Sequence, residues 1–202
     1  MKAKKYLFPA LLLTIYFLEF AALSWGVYSR QVWISENLPI VLIVGLLVFF
    51  YFRGIRFSGT AYGMMSCLIF LHTIGGHYSF ERVPFDWFGR LFGFERNMFD
   101  RVAHFTVGFF AYPIFEKVES SHVIQKRWVS ALFSIFAIAT VAMSYEIIEW
   151  IYAVKTDPAS GAAFLGSQGD AWDAQKDMLM DTLGAIFAVG VYFFKNREAV
   201  KL

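Results

Sequence analysis

Long apolar runs, broken at intervals by charges, Gly and Pro, dominate the 202-residue chain. A hydrocarbon core about 30 Å thick needs roughly 20 mostly apolar residues per helix. Six runs approach that length, at about 6–28, 37–53, 58–78, 98–115, 128–152 and 177–194. The second is short, because Arg53 closes it. The pattern predicts an all-α fold: a polytopic membrane helix bundle of about six transmembrane helices. No repeat or low-complexity segment divides the chain, so residues 1–202 read as one integral membrane domain.

Composition narrows the choices. Charged residues make up only 17% of the chain, where soluble domains carry about a quarter. A hydrophobic share of 58% excludes a disordered chain. A single cysteine, Cys67, excludes a disulfide scaffold. A net charge of +2, scattered along the chain, gives no footprint for nucleic acid. With a cytoplasmic N-terminus, the inner side receives Lys2, Lys4, Lys5, Arg53, Arg56, Lys117, Lys126, Arg127, Lys195, Arg197 and Lys201. The outer side receives Arg30, Arg82, Arg90, Arg96, Arg101, Lys155 and Lys176. Eleven against seven predicts that both termini are cytoplasmic. Residues 1–24 also permit a signal-peptide reading, although the apolar run is long for one and Glu19 interrupts its end.

The acids are more lopsided than the bases. Glu116, Glu119 and Glu198 fall on the inner side, and the other thirteen fall in outer loops or towards the outer ends of spans. An ionisable group within a span costs about 2.5–3.5 kcal/mol on insertion scales and marks a functional site by default. Asp100 and His104, four apart, open the fourth run and share a helix face. Glu146 and Glu149 close the fifth, and Asp177 and Asp181 open the sixth, each pair on one side of its helix. Because the spans alternate in direction, these pairs reach a similar depth near the outer face. His72 and His77 close the third run across Gly75-Gly76, which predicts a bend that need not leave both on one face. Asp170 and Asp173 extend the acidic stripe upstream, and Asp170 suits a helix N-cap. Gly184 and Ala188, below the stripe, predict close approach of another helix.

Helix N-termini favour carboxylates, which alone could explain Asp100 and Asp177. That account fails for Glu146 and Glu149 near a C-terminus, and for Asp181 a turn deep. Five crowded carboxylates cannot all ionise unpaired, so either protons are shared or a cation binds. Histidine with carboxylates suits zinc, manganese or iron, and an all-oxygen subset suits magnesium or calcium. The candidate divalent-metal ligands are His104, Glu146, Asp177 and Asp181, with His72 and His77 behind them. Glu149 or Asp100 would be the general base, and Arg101 would hold an anionic headgroup or phosphate. Between the third and fourth runs, residues 79–97 interleave Phe80, Phe85, Trp87, Phe88, Phe92 and Phe94 with Arg82, Arg90 and Arg96, suiting an interfacial anchor or a lid. Pro84 is placed to open a short helix there, and Gly161, Gly166 and Gly169 predict a flexible 153–175 loop.

The segments FDRVAHFTVGFF (99–110), YEIIEW (145–150), DAWDAQKDMLMDTLGA (170–185) and HTIGGHY (72–78) resemble the YjdF family of bacterial inner-membrane proteins. The likeness runs over essentially the whole chain and implies a multi-pass protein of the bacterial inner membrane, without an established activity. More distantly, the fourth to sixth runs resemble VanZ-like membrane proteins at Asp100, Arg101, His104, Phe105, Glu146, Asp177 and Gly184. Arg101 stands there for a Lys, Asp181 for the usual Asn and Glu149 for a common Gln, which weakens any transfer of roles. Three readings follow. One is a metal-dependent membrane enzyme acting on an envelope lipid or lipid-linked substrate. The second is a membrane protein that binds an ion, a drug or a lipid without catalysis. The third is a structural protein whose acids pin helices together.

Overall fold

A computed structural model of the chain describes residues 2–156, 158–165 and 167–196, without the side chains of residues 2–6, 159, 160 and 163. The side chains of Lys2, Lys4 and Lys5, and all of Gly166, Arg197, Glu198 and Lys201, therefore lie outside the described part. Among the described residues the chain forms helices and no strand. They are α1 (Lys2–Leu23), α2 (Arg30–Phe52), α3 (Gly59–Tyr78), α4 (Asp86–Phe92), α5 (Phe99–Val107), α6 (Ala111–Ser121), α7 (Arg127–Lys155), α8 (Pro158–Leu165) and α9 (Asp173–Lys195). Single 3-10 turns occupy Phe80–Arg82 and Gly108–Phe110. α2, α7 and α9 are long and apolar enough to cross a membrane, and α1 contains a shorter apolar helix, Leu7–Leu23. Leu42, Leu46 and Phe49 of α2 and Phe136, Ile147 and Ile148 of α7 are exposed. Such apolar faces need hydrocarbon, not water, as their solvent.

α2 begins seven residues before the expected start at 37. Ser29 caps it by accepting from the Val32 amide at 3.4 Å, and Val32, Glu36, Ile40 and Val44 form one buried row. Glu36 and Asn37 look like a polar break in the sequence, but both point into the bundle. The fourth run does not make one helix. It bends at the 3-10 turn Gly108–Phe110 and continues as α6. The predicted bend at Gly75-Gly76 is absent, since α3 runs unbroken to Tyr78. Those glycines instead give room for neighbours: a Cβ at Gly75 would strike the Phe80 ring, and one at Gly76 the Asn37 amide.

Polar contacts tie the helices at both ends. At one end Glu116 accepts from the Ser58 amide at 2.9 Å, Lys195 reaches Thr60, and Arg127 pairs with Glu119. At the other, the Tyr28 amide donates to the His77 carbonyl at 3.1 Å, and Asn97 and Gln168 exchange hydrogen bonds of 2.9 and 3.1 Å. The second end carries α4, α8 and the acids. The tightest packing lies between α5 and α9. A Cβ at Gly184 would overlap the Phe105 carbonyl, and one at Gly108 would overlap the backbone of Asp181, Gly184 and Ala185. The two backbones touch, as the small stripe of the last run predicts. Below this contact Ala111, Tyr112 and Phe115 pack with Ala185, Ala188 and Tyr192.

Gly184→Leu is expected to cost about 3 kcal/mol or more, because both sides of the overlap are backbone. Gly190→Ala, where a methyl meets nothing within 4 Å, should leave the thermal melting of detergent-purified protein unchanged or raised. Equal melting of the two variants would contradict the close contact.

Candidate functional site

α5 and α9 run parallel, with their N-termini at the α4/α8 end. From the glycine contact upward, partners keep a nearly constant sequence offset: His104 meets Asp181 (77 residues apart) and Arg101 meets Asp177 (76 apart). Successive rungs on each helix are three or four residues apart, so they stay on the facing sides.

The upper rungs form a charge network. Arg101 is buried, 4% exposed. It donates to Asp177 and Asp173, and its Nη2 stands 3.4 Å from Asp170. Arg96 donates to Asp173 at 2.6 Å and stands 3.7 Å from Asp100. Lys176 donates to Asp170 at 2.7 Å. That bond, helped by the Trp172 amide, pulls the Asp170 carboxyl down to about 2. Asp170, in the connection before α9, therefore stays charged far into acid. Its contribution to stability is present above the ordinary Asp value, about 3.9, and is lost only as pH falls through about 2. Arg101 thus spends its donors on aspartates. Among the described residues both of its Nη nitrogens face aspartates, with which an anion at the expected Arg101 site would have to compete.

The lower rung has a different character. His104 Nδ1 lies 3.2 and 3.3 Å from the two oxygens of Asp181. Against an ionised Asp181, Nδ1 is the donor, and Nε2 points to the other side of the ring. Nε2 stands 3.7 Å from Asp100 and 3.8 Å from Asp177. One ligand atom from each of Asp100, His104 and Asp177 lies within 4.8 Å of the others. Ligands about 2 Å from a shared metal stand roughly 3–4 Å apart, so this trio is nearly of the right size. Asp181 then orients the histidine, as carboxylates commonly orient histidine ligands.

The trio faces a cavity of about 120 Å³, whose lining also includes Glu36, His72, Tyr145 and Glu149. His72 Nε2 is 3.7 Å from Glu36, and the Phe80 ring stands edge-on to His72 at 4.9 Å. His72 Nδ1, the Tyr145 hydroxyl and Glu146 Oε1 are buried without a hydrogen-bond partner among the described residues. Such atoms are costly to bury bare. Glu146 lies beside Tyr145 on α7 and within charge–charge reach of His104 and Asp181. His77 is elsewhere: its Nδ1 meets the Leu23 carbonyl at 2.9 Å.

Sequence reasoning missed three participants. Glu36 was hidden by the late expected start of α2; its four-residue spacing from Val32 and Ile40 was the available signal. Tyr145 is uncharged and so falls outside the acidic pattern, although it directly precedes Glu146. Arg96 was grouped with the interfacial loop. In that loop Trp87, Leu91 and Phe92 are exposed, while Phe80 and Val83 are buried, Phe80 in the cavity wall.

The family model described as predicted membrane protein DUF2238 matches residues 8–198. The chain belongs to this family. It is also similar to the inner membrane protein YjdF of Escherichia coli (strain K12), with 32% identity over 173 residues, covering 80% of this chain and 78% of that protein. No solved structure matches. These findings do not bear on the VanZ-like likeness, which is carried no further.

Arg101→Ala strands Asp173 and Asp177 without their shared partner and is expected to cost about 3–5 kcal/mol. Arg101→Lys, which keeps the charge but not the planar fork, should lose less. Thermal unfolding of the purified variants measures both. An Arg101→Ala protein that melts like wild type would contradict the network.

Proposed function

We propose that the chain crosses the bacterial inner membrane about six times with both termini in the cytoplasm. On this reading it holds a divalent cation near the periplasmic face between Asp100, His104 and Asp177. The carrying observation is the His104 geometry, with one ring nitrogen clamped by Asp181 and the other turned between two carboxylates at 3.7 and 3.8 Å. Charge supports it. Asp100, Asp170, Asp173, Asp177 and Asp181 face Arg96, Arg101 and Lys176, which leaves two negative charges over before Glu36, Glu146 and Glu149 are counted. A divalent ion offsets that excess. Imidazole with carboxylates suits zinc, manganese or iron.

Such an ion lowers the pKa of a bound water and polarises a phosphoryl or carbonyl oxygen. Glu149, on the cavity wall, is the general base of this proposal, because Asp100 is committed as a ligand. Glu146, with its unpartnered oxygen, is a further ligand or proton carrier. The reaction class is hydrolysis or group transfer on an envelope lipid or lipid-linked substrate. A purely structural reading draws on the arginine network and accounts for Asp170 and Asp173. It leaves His104 Nε2, the cavity and the unpartnered Tyr145 hydroxyl without a purpose.

Elemental analysis of protein purified without chelator is expected to find stoichiometric divalent metal. His104→Ala and Asp100→Asn should lose it, Asp181→Asn should bind it about 10–100-fold more weakly, and His77→Ala should keep it. Metal-poor wild-type protein, or metal retained by His104→Ala, would contradict the site. Lipid profiles of cells with and without the chain then test the catalytic part, with a changed envelope species expected and unchanged profiles opposing it.

A further inference from the structure

The cavity has a second, apolar half, and it opens sideways. α2 packs on α3 and α8, whereas α7 packs on α6, α8 and α9. Direct hydrogen bonds between α2 and α7 lie at one end, where Gln31 and Ser35 each donate to the Tyr152 hydroxyl at 3.2 Å. α8 covers that same end, its Phe164 ring 4.3 Å from Tyr152. Beyond this latch the cavity wall turns apolar: Ile40 and Ile43 from α2, Leu68 from α3, Val141 and Ala142 from α7. Ile40 and Ala142 are 1% and 2% exposed, yet Val141, in the same wall, is 56% exposed. A residue that lines a cavity and faces outward marks its mouth. Val141 sits midway along Arg127–Lys155, a level where a membrane-crossing helix meets only hydrocarbon. Pro39, also in the lining, lacks the amide that would bond the Ser35 carbonyl, so α2 is less firmly bonded beside the mouth.

We propose that the gap between α2 and α7 is a lateral portal that seats a hydrocarbon tail of a membrane amphiphile, with the polar head delivered to the Asp100–His104–Asp177 end. The two ends of the cavity carry this assignment. The tail end offers side chains that only an apolar guest can satisfy. The head end offers His72 Nδ1 and the Tyr145 hydroxyl, both buried and unpartnered among the described residues. A water-soluble ion alone would need no apolar mouth at mid-membrane. Another cavity, about 250 Å³ between α1, α2 and α3, is lined by no carboxylate, imidazole, ammonium or guanidinium group. Its polar groups are the hydroxyls of Tyr16, Tyr51, Tyr62 and Ser66, so it offers a charged head no ionic partner. The portal deepens the proposed function by naming how its lipid substrate enters, and only the endpoint of the head rests on the metal reading.

The test uses the full chain in vesicles of phosphatidylethanolamine and phosphatidylglycerol doped with a phosphatidylethanolamine that carries a diazirine in one tail. After illumination, peptide mapping should find adducts on Ile40 and Ala142, which bilayer lipids surrounding the bundle cannot touch. Ala142→Phe should lose the Ile40 adduct while keeping those on outward Leu42 and Phe136, which report a correctly inserted bundle. Should that variant fail to fold, the wild-type map decides alone. Adducts confined to Leu42 and Phe136, or falling on Leu13 and Val48 of the other cavity, would overturn the portal. His104→Ala is expected to keep the Ile40 adduct. Loss of metal in that variant and loss of the tail seat in Ala142→Phe are therefore separate results.

Discussion

The direct backbone contact of α5 with α9 sets everything above it. Gly108 and Gly184 lack the carbon that would hold the helices apart. Two parallel helices in contact, with rungs three or four residues apart, bring His104 against Asp181 and Arg101 against Asp177 without further adjustment. Wider spacing would put these side chains out of hydrogen-bond reach and leave each charge alone in a poorly solvated place. Close packing of small residues is also how helices associate where lipid removes the usual hydrophobic drive. The same feature therefore serves stability and places the chemistry.

The acidic residues divide into two groups by their partners. Asp170 and Asp173 meet guanidinium or ammonium groups, and they fasten the start of α9 to α5. Asp181 meets an imidazole, and Asp177 belongs to both groups, with Arg101 on one side and His104 Nε2 3.8 Å away. This division explains why a cluster so rich in carboxylates can form at all. The arginines stabilise the rim, and the excess charge collects in the cavity, next to the unpartnered atoms of α3 and α7. On the proposed reading a cation would sit there, with the apolar half of the cavity leading away from it.

Much of this was legible in the chain. The apolar runs located the long helices, and charge pairs at helical spacing located His104, Asp177 and Asp181 at one end of the bundle. The likeness at 99–110 and 170–185 named the family. Less legible was anything that depends on which way a side chain faces. Glu36 and Asn37 read as the edge of a span because burial against Gly76 and His72 is a tertiary fact. Gly75-Gly76 read as a bend because a glycine that makes room looks the same as one that breaks a helix. Arg101 read as an anion binder because nothing local says that Asp173 and Asp177 arrive first. Nor does spacing say which ring nitrogen Asp181 meets: it faces His104 Nδ1, while Asp100 and Asp177 stand nearer Nε2.

The most direct test of the account is the protonation of the His104 ring, read by nitrogen-15 NMR on protein labelled at histidine in lipid nanodiscs. The account predicts a proton on Nδ1, deshielded by its bond to Asp181, and loss of that deshielding in Asp181→Asn. An Nδ1 without a proton, or a His104 signal indifferent to Asp181→Asn, would contradict it.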